Sequence, residues 1–337
     1  MEKVECQVEG PLLIVGFGSV GRRHFRNLKL LGCEEVILCR TGKSSLPDDE
    51  LNGAIAVNQL DDALLHKPVA AIVSNPTSLH VSAALPAAEA GCHLLIEKPV
   101  ADKLEDAREL RGVTQKHGVR TLVGFQFRFN EGLRQVKTWF DAGRIGKIVS
   151  VQVRWAEYLP DWHPWEDYRI GYAARPELGG GVLLTLCHPF DYLRWLMGEI
   201  ESVSAITGHA SDLDLGVEDT AIVNLRFTSG ALGSVYLDFV QRPPSHRLQV
   251  VGTGGVIEWD GNTGNASCYQ VETKTWEHHS PGKGFERNSM FIEEMKHFLA
   301  CVRGEEPAAC TLDDGIRALQ IALAAKESAS SGRTVSV

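Results

Sequence analysis

The sequence predicts an α/β protein in two parts: an N-terminal doubly wound parallel sheet, then an α+β domain with an open, mainly antiparallel sheet. Three observations predict it. From Pro11 to Val123 short apolar runs alternate with segments of helical spacing, the pattern of βαβ units. After about Gly124 apolar residues recur at every second position over longer stretches, as in half-buried strands. The 337 residues also exceed the ~100 to 200 that one domain ordinarily holds. The expected domains are residues 1–123 and 124–337, with the last helix packing back on the first domain.

In the first part, residues 12–15, 36–39, 70–74, 93–96 and 121–123 are unbroken apolar runs of strand length, expected to be buried on both faces. Residues 21–31, 60–66, 80–90 and 103–117 carry helical spacing, and Thr77 or Ser78 suits the cap of the third. Five strands and four helices are therefore expected there. In the second part, alternation over 149–155, 202–207, 221–227, 231–240 and 247–258 reads as strands separated by turn residues such as Thr228-Ser229-Gly230. Helices are expected over 132–142, 189–197, 289–302 and 312–328.

Composition narrows the function. With 34 basic and 43 acidic side chains the formal charge is -9, which repels nucleic-acid phosphates and anionic membrane surfaces. The eight cysteines form no CxxC pair and no zinc-like spacing with histidine, which suits a reducing cytosol. No apolar run reaches 18 residues, and MEKVECQVEG lacks the apolar stretch of a signal peptide, so a cytoplasmic protein is expected. Adjacent His278 and His279 point to opposite faces of a strand and suggest no metal.

Val15-Gly16-Phe17-Gly18-Ser19-Val20-Gly21 is a GxGxxG that follows a strand and opens a helix, the context that makes it a dinucleotide fingerprint. The first glycine permits the tight turn, the second admits a pyrophosphate, and the third lets helix and strand pack closely. The N-terminal domain is on this ground a Rossmann domain, with Gly16, Phe17, Gly18, Ser19, Val20 and Gly21 at the cofactor. No Asp or Glu ends the second strand, where an NAD site usually places one on the ribose. Arg40, Thr41, Lys43 and Ser44 stand there instead and can hold a 2′-phosphate, so NADP is the expected cofactor with NAD as the alternative; ordinary solvated loop residues are the plainer reading. Ser74, Asn75, Pro76, His80, Glu97 and Lys98 follow later strands, at the edge of the sheet where ligands bind.

GFGSVGRRH, SNPTSLH, EKPV, GFQFRFN and GGGVLLTLCHPFDYLRWLMG, in this order, resemble the Gfo/Idh/MocA oxidoreductases, glucose-fructose oxidoreductase and inositol dehydrogenase among them. The resemblance spans nearly the whole chain and implies hydride transfer at the interface of two domains. It makes Lys98 the active-site lysine, often presented by a cis Lys-Pro bond in relatives, and His188 the catalytic histidine. Many relatives place an aspartate four residues before that histidine; here that position is Leu184, or Thr185 counted from the glycines, and the acid is absent.

His188 has chemistry of its own, because imidazole titrates near ~6.5 and can accept a hydroxyl proton. Asp191 can orient its ring or bind substrate, and Thr185 and Arg128 are further substrate candidates; a satisfied core histidine is the plainer reading of His188. The stretch 158–169 carries Trp162, His163, Tyr168 and Arg169, which offer stacking surface and donors to a sugar, unless the loop only packs on the sheet. It resembles the family subgroup associated with surface polysaccharides and nucleotide sugars. His24 reads as structural or near the pyrophosphate. The expected function is NAD(P)-dependent oxidation or reduction of a sugar, sugar nucleotide or cyclic polyol. A regulatory protein that binds dinucleotide and sugar without turnover, or a dehydrogenase of a non-sugar alcohol, are the alternatives. An open sheet needs cover, so a homodimer or homotetramer is expected.

Overall fold

The computed structural model describes residues 8–42, 51, 53–282 and 286–337. Lys43 and Ser44 lie outside the described residues. The chain forms two compact units: the described residues up to Phe125 with Phe291–Ile316, and Gln126–Met290 with Arg317–Val337.

In the first unit the chain runs β1 (Leu12–Val15), α1 (Ser19–Leu30), β2 (Val36–Cys39), β3 (Ile55–Val57), α2 (Leu60–Leu64), β4 (Ala70–Val73), α3 (His80–Glu89), β5 (His93–Glu97), α4 (Leu104–His117) and β6 (Thr121–Gly124). Among the described residues the sheet has six strands in the order β3-β2-β1-β4-β5-β6. Each neighbouring pair is parallel. The apolar runs behave as expected: β1, β2, β4 and β6 are buried at every position. β3 is the strand that the sequence pattern does not reveal. It is three residues long, none of them buried, so its apolar signal is weak. α4 shows why local sequence suffices elsewhere. Glu105 and Asp106 sit in its first turn and Lys116 and His117 in its last, matching the helix dipole, and Gly118 ends it in the left-handed region.

The second unit carries α5 (Glu131–Asp141), β7 (Ile148–Ala156), α6 (Val182–Thr185), α7 (His188–Met197), β8 (Ile200–Gly208), β9 (Thr220–Phe227), β10 (Leu232–Asp238), β11 (Ser245–Gly252), β12 (Gly255–Asp260), β13 (Ala266–Gln270) and β14 (Thr275–His279). Then come α8 (Arg287–Arg303), α9 (Leu312–Ser331) and β15 (Val335–Ser336). The second sheet runs β14-β13-β12-β11-β7-β10-β9-β8-β15. It is antiparallel except for the β7–β10 pair. Alternate residues of β9 are buried, which places Ala221, Val223, Leu225 and Phe227 on the covered face. α5 and α6 pack on the sheet. The opposite face carries the cross-strand row Ile206, Ile222, Tyr236 and Arg154. Ile206 and Ile222 are exposed.

Candidate functional site

The glycine turn is built as its spacing predicts. Gly16 has φ +92°, and a Cβ on it would come within 2.6 Å of the Asn75 nitrogen, so glycine is required. A Cβ on Gly21 would strike the Gly16 carbonyl oxygen, which makes the close approach of α1 to β1 depend on the missing side chain. Gly18 differs. A Cβ there meets nothing within 4 Å. Gly18 is also the N-cap of α1, with no side-chain cap and no acid in the first turn. Open space over an uncapped helix N-terminus fits the pyrophosphate of a dinucleotide.

The other N-terminal candidates divide into braces and open groups. The Ser74 hydroxyl donates to the Gly16 carbonyl at 2.9 Å and so holds the glycine turn. Asn75 donates through Nδ2 to the Leu79 carbonyl at 3.0 Å. His80 is buried with Nδ1 2.9 Å from the Pro99 carbonyl and Nε2 2.8 Å from the Asn75 carbonyl, tying the loop after β4 to the loop after β5. Burial pushes His80 below the usual imidazole range despite those carbonyls. Pro76 is the N-cap of the short turn Thr77–Leu79. Lys98 follows β5 directly, and the Lys98-Pro99 bond is cis. Glu97 accepts a hydrogen bond from His24 at 2.8 Å, deep in the unit. Phe17 is buried with the Arg22 guanidinium 4.6 Å from its ring centroid. Ser19 and Val20 form the first turn of α1. Arg40 directly follows β2 and is half-buried, its N–H bonded to the Val57 carbonyl at 3.0 Å, and Thr41 is exposed beside it.

In the second unit His188 begins α7 and is buried. The residues leading to it depend on Gly181, whose φ is +101° and whose Cβ would come within 2.5 Å of the Glu218 carboxylate. That carboxylate accepts from the Leu183 N–H at 3.3 Å at the start of α6. The His188 ring lies 4.9 Å from Phe127 edge-on and 5.2 Å from Trp155. Behind it, His246 stacks on Trp155 at 4.5 Å and meets the Tyr192 hydroxyl through Nε2 at 3.1 Å. Burial, with the charge of Arg287, pushes His246 down to about 3. Its ring is therefore neutral in ordinary buffers. Sequence reasoning missed this aromatic wall, although the inward positions of β7 and β11 already mark Trp155 and His246.

Arg128 and Asp191 do not stand apart as two substrate contacts. They form a buried fork, Nε to Oδ2 at 2.9 Å and Nη2 to Oδ1 at 2.6 Å, which ties the segment before α5 to α7. Thr185 is buried at the end of α6. In the 158–169 stretch, Trp162 packs edge-on against Phe239 at 5.6 Å, and His163 lies 5.4 Å from the exposed Trp165. The Tyr168 hydroxyl accepts from the Asp214 N–H at 3.1 Å. Arg169 is exposed and gripped by Asp167, Nη2 to Oδ2 at 2.6 Å. Within the stretch the Asp167–Arg169 pair is internal, Trp162 and Tyr168 reach Phe239 and Asp214, and the buried indole N–H of Trp162 has no hydrogen-bond partner.

The strand order and the glycine cradle define a dinucleotide-binding protein of the Rossmann class. Comparison with known proteins makes this specific. Residues 12–125 match the model of the oxidoreductase family's NAD-binding Rossmann fold, and residues 137–337 match its C-terminal alpha/beta domain. The chain belongs to the Gfo/Idh/MocA oxidoreductase family and is an enzyme with an NAD-binding domain. Among its relatives are the uncharacterized oxidoreductase YrbE of Bacillus subtilis, 29% identical over 96% of this chain and 95% of that one. Myo-inositol 2-dehydrogenase of Thermotoga maritima is also 29% identical, over 96% of this chain and 97% of its own. Among solved structures, the WlbA dehydrogenase of Bordetella pertussis in complex with NADH and UDP-GlcNAcA has a TM-score of 0.83 at 25% identity, covering 98% and 99% of the two chains. Among the described residues no helix is long and apolar enough to cross a membrane.

Proposed function

We propose that this oxidoreductase transfers hydride between a nicotinamide and a secondary alcohol or ketone of a sugar, sugar nucleotide or cyclic polyol. The observation that carries the reading is the open space over Gly18 at the uncapped start of α1, in a chain whose two parts both match an oxidoreductase family. The names of the inositol dehydrogenase and of the UDP-GlcNAcA complex support the substrate class.

Gly16, Phe17, Gly18, Ser19, Val20 and Gly21 hold the pyrophosphate, with Ser74 bracing the turn and Asn75, Pro76, His80 and Glu97 shaping the neighbouring loops. The nicotinamide supplies the acceptor or donor of hydride when bound. His188 takes or returns the hydroxyl proton, held by Phe127 and Trp155 so that its ring keeps one orientation. Lys98 stabilises negative charge on the reacting oxygen. Arg128 and Asp191 act by fixing the start of α7, while Trp162, His163, Tyr168, Arg169 and Thr185 line the substrate side. Arg40 and Thr41 favour a 2′-phosphate, hence NADP over NAD. The open sheet face pairs with a second copy of the chain.

A second reading, dinucleotide and sugar binding without turnover, is favoured by one observation: buried Leu184 and Thr185 stand where many family members carry an acid. Mixing the protein with NAD or NADP and a panel of inositols, hexoses and sugar nucleotides, and following the reduced-nicotinamide absorbance, separates the two. The enzyme reading expects a change with at least one member, larger with NADP. Binding of panel members with no absorbance change in either direction would overturn it.

A further inference from the structure

In the first unit one buried imidazole bridges the loop beside the glycine turn and the residue after Lys98. His80 opens α3 and is 1% exposed. Its Nε2 lies 2.8 Å from the Asn75 carbonyl and its Nδ1 2.9 Å from the Pro99 carbonyl. Both ends of this bridge are anchored. A Cβ on Gly16 would come within 2.6 Å of the Asn75 nitrogen, so the Asn75 backbone lies against the glycine turn. Nδ2 of Asn75 also donates to the carbonyl of Leu79, the residue before His80. Pro99 is buried and directly follows Lys98. On the other side of Lys98, the Glu97 carboxylate takes the hydrogen bond of His24 at 2.8 Å. The residues before and after the lysine are thus each held by an imidazole, from α1 and from α3.

A neutral imidazole has one N–H, so it donates to one of the two carbonyls at a time. Burial outweighs both carbonyls and the charge of Glu97 and keeps the His80 ring neutral at neutral pH. The two carbonyls differ in their surroundings. The Pro99 contact is buried, whereas the Asn75 contact is partly open to water. A buried carbonyl that loses its donor has no water to replace it, and a partly exposed one does. The N–H therefore belongs on Nδ1, on the Lys98 side of the ring. The Asn75 carbonyl gains a donor from the ring only when a second proton is bound.

We propose that His80 is a positioning residue for Lys98: its Nδ1–H holds the Pro99 carbonyl and so fixes the backbone that presents the lysine. The inference rests on the proposed role of Lys98, and its first test does not. NMR spectra of the full-length apo-protein carrying isotope-labelled histidine, with the His80 signals assigned by their loss in the variants below, should show a protonated Nδ1 and a bare Nε2 at neutral pH. A proton on Nε2 instead overturns the proposal. In turnover, the amide nitrogen of Asn can stand in the place of Nδ1, and that of Gln in the place of Nε2. His80→Gln and His80→Leu should lower kcat about tenfold or more, the scale of a small misplacement, with KM within about twofold. His80→Asn, which can still donate to Pro99, should recover most of that loss. Trace acetylation of the Lys98 amine, read by mass spectrometry across pH, should titrate alike in the parent and the Asn variant and at a different pH in the Gln and Leu variants. Identical labelling curves in all four proteins, or parent kcat in the Gln and Leu variants, would refute the positioning role. Full turnover in Lys98→Ala would instead refute the role of Lys98, and the NMR spectra would still tell which carbonyl His80 holds.

Discussion

At the scale of single residues, the three glycines of the turn have separable jobs. Gly21 is required by packing, whereas a Cβ on Gly18 would meet nothing, and its proposed job is to leave room for the pyrophosphate. Gly21→Ala should therefore destabilise the protein by about 1 to 3 kcal/mol or more, as overpacking does, seen as a lowered Tm. Gly18→Ala should leave Tm unchanged and weaken NADPH binding about tenfold, about 1.4 kcal/mol, measured by fluorescence titration. A Gly18→Ala protein that binds the cofactor normally would remove Gly18 from the pyrophosphate site. The glycine roles are legible in sequence because they follow from local geometry. The Arg128–Asp191 fork is not, because it joins residues 63 positions apart, and each alone reads as a candidate ligand.

At the scale of elements, helices and buried strands were legible wherever apolar spacing or caps carry the signal, as in α4 and β1. β3 was not, since a short strand without a buried residue has no pattern to show. β13 and β14 were missed for a related reason: β14 is mostly exposed and follows only one turn after its partner. The aromatic wall around His188 yields a pH effect. His246 is held at about 3 when folded, below the ~6.5 of an unfolded histidine, so the unfolded chain binds the extra proton as pH falls. Stability from this residue is complete above ~6.5 and is lost below it by about 1.4 kcal/mol per pH unit, or about 2 kcal/mol at pH 5. Thermal unfolding between pH 7 and pH 5 should show a flatter slope for His246→Gln than for the parent protein. Equal slopes would mean that His246 does not drive this dependence.

At the scale of the whole molecule, the two-part architecture follows from the change of apolar period near Gly124. Which helices gather on which sheet does not, being set by distant pairs such as the Val123 N–H on the Cys310 carbonyl. The acidic balance of -9 argues against polyanionic partners, and the exposed Ile206 and Ile222 on the open sheet face favour a second copy as its cover. Light scattering should give a mass of two or four chains, and Ile222→Lys should lower it; a species of 36.9 kDa alone would contradict the pairing.

Lys98 is proposed to act on the reacting oxygen of a nicotinamide-dependent reaction. Single-turnover absorbance of the reduced nicotinamide, with whichever panel member the parent protein converts, tests it most directly in Lys98→Ala. The variant should bind NADPH with unchanged affinity and show no absorbance change over the time in which the parent completes its turnover. Turnover by Lys98→Ala at the parent rate would contradict it.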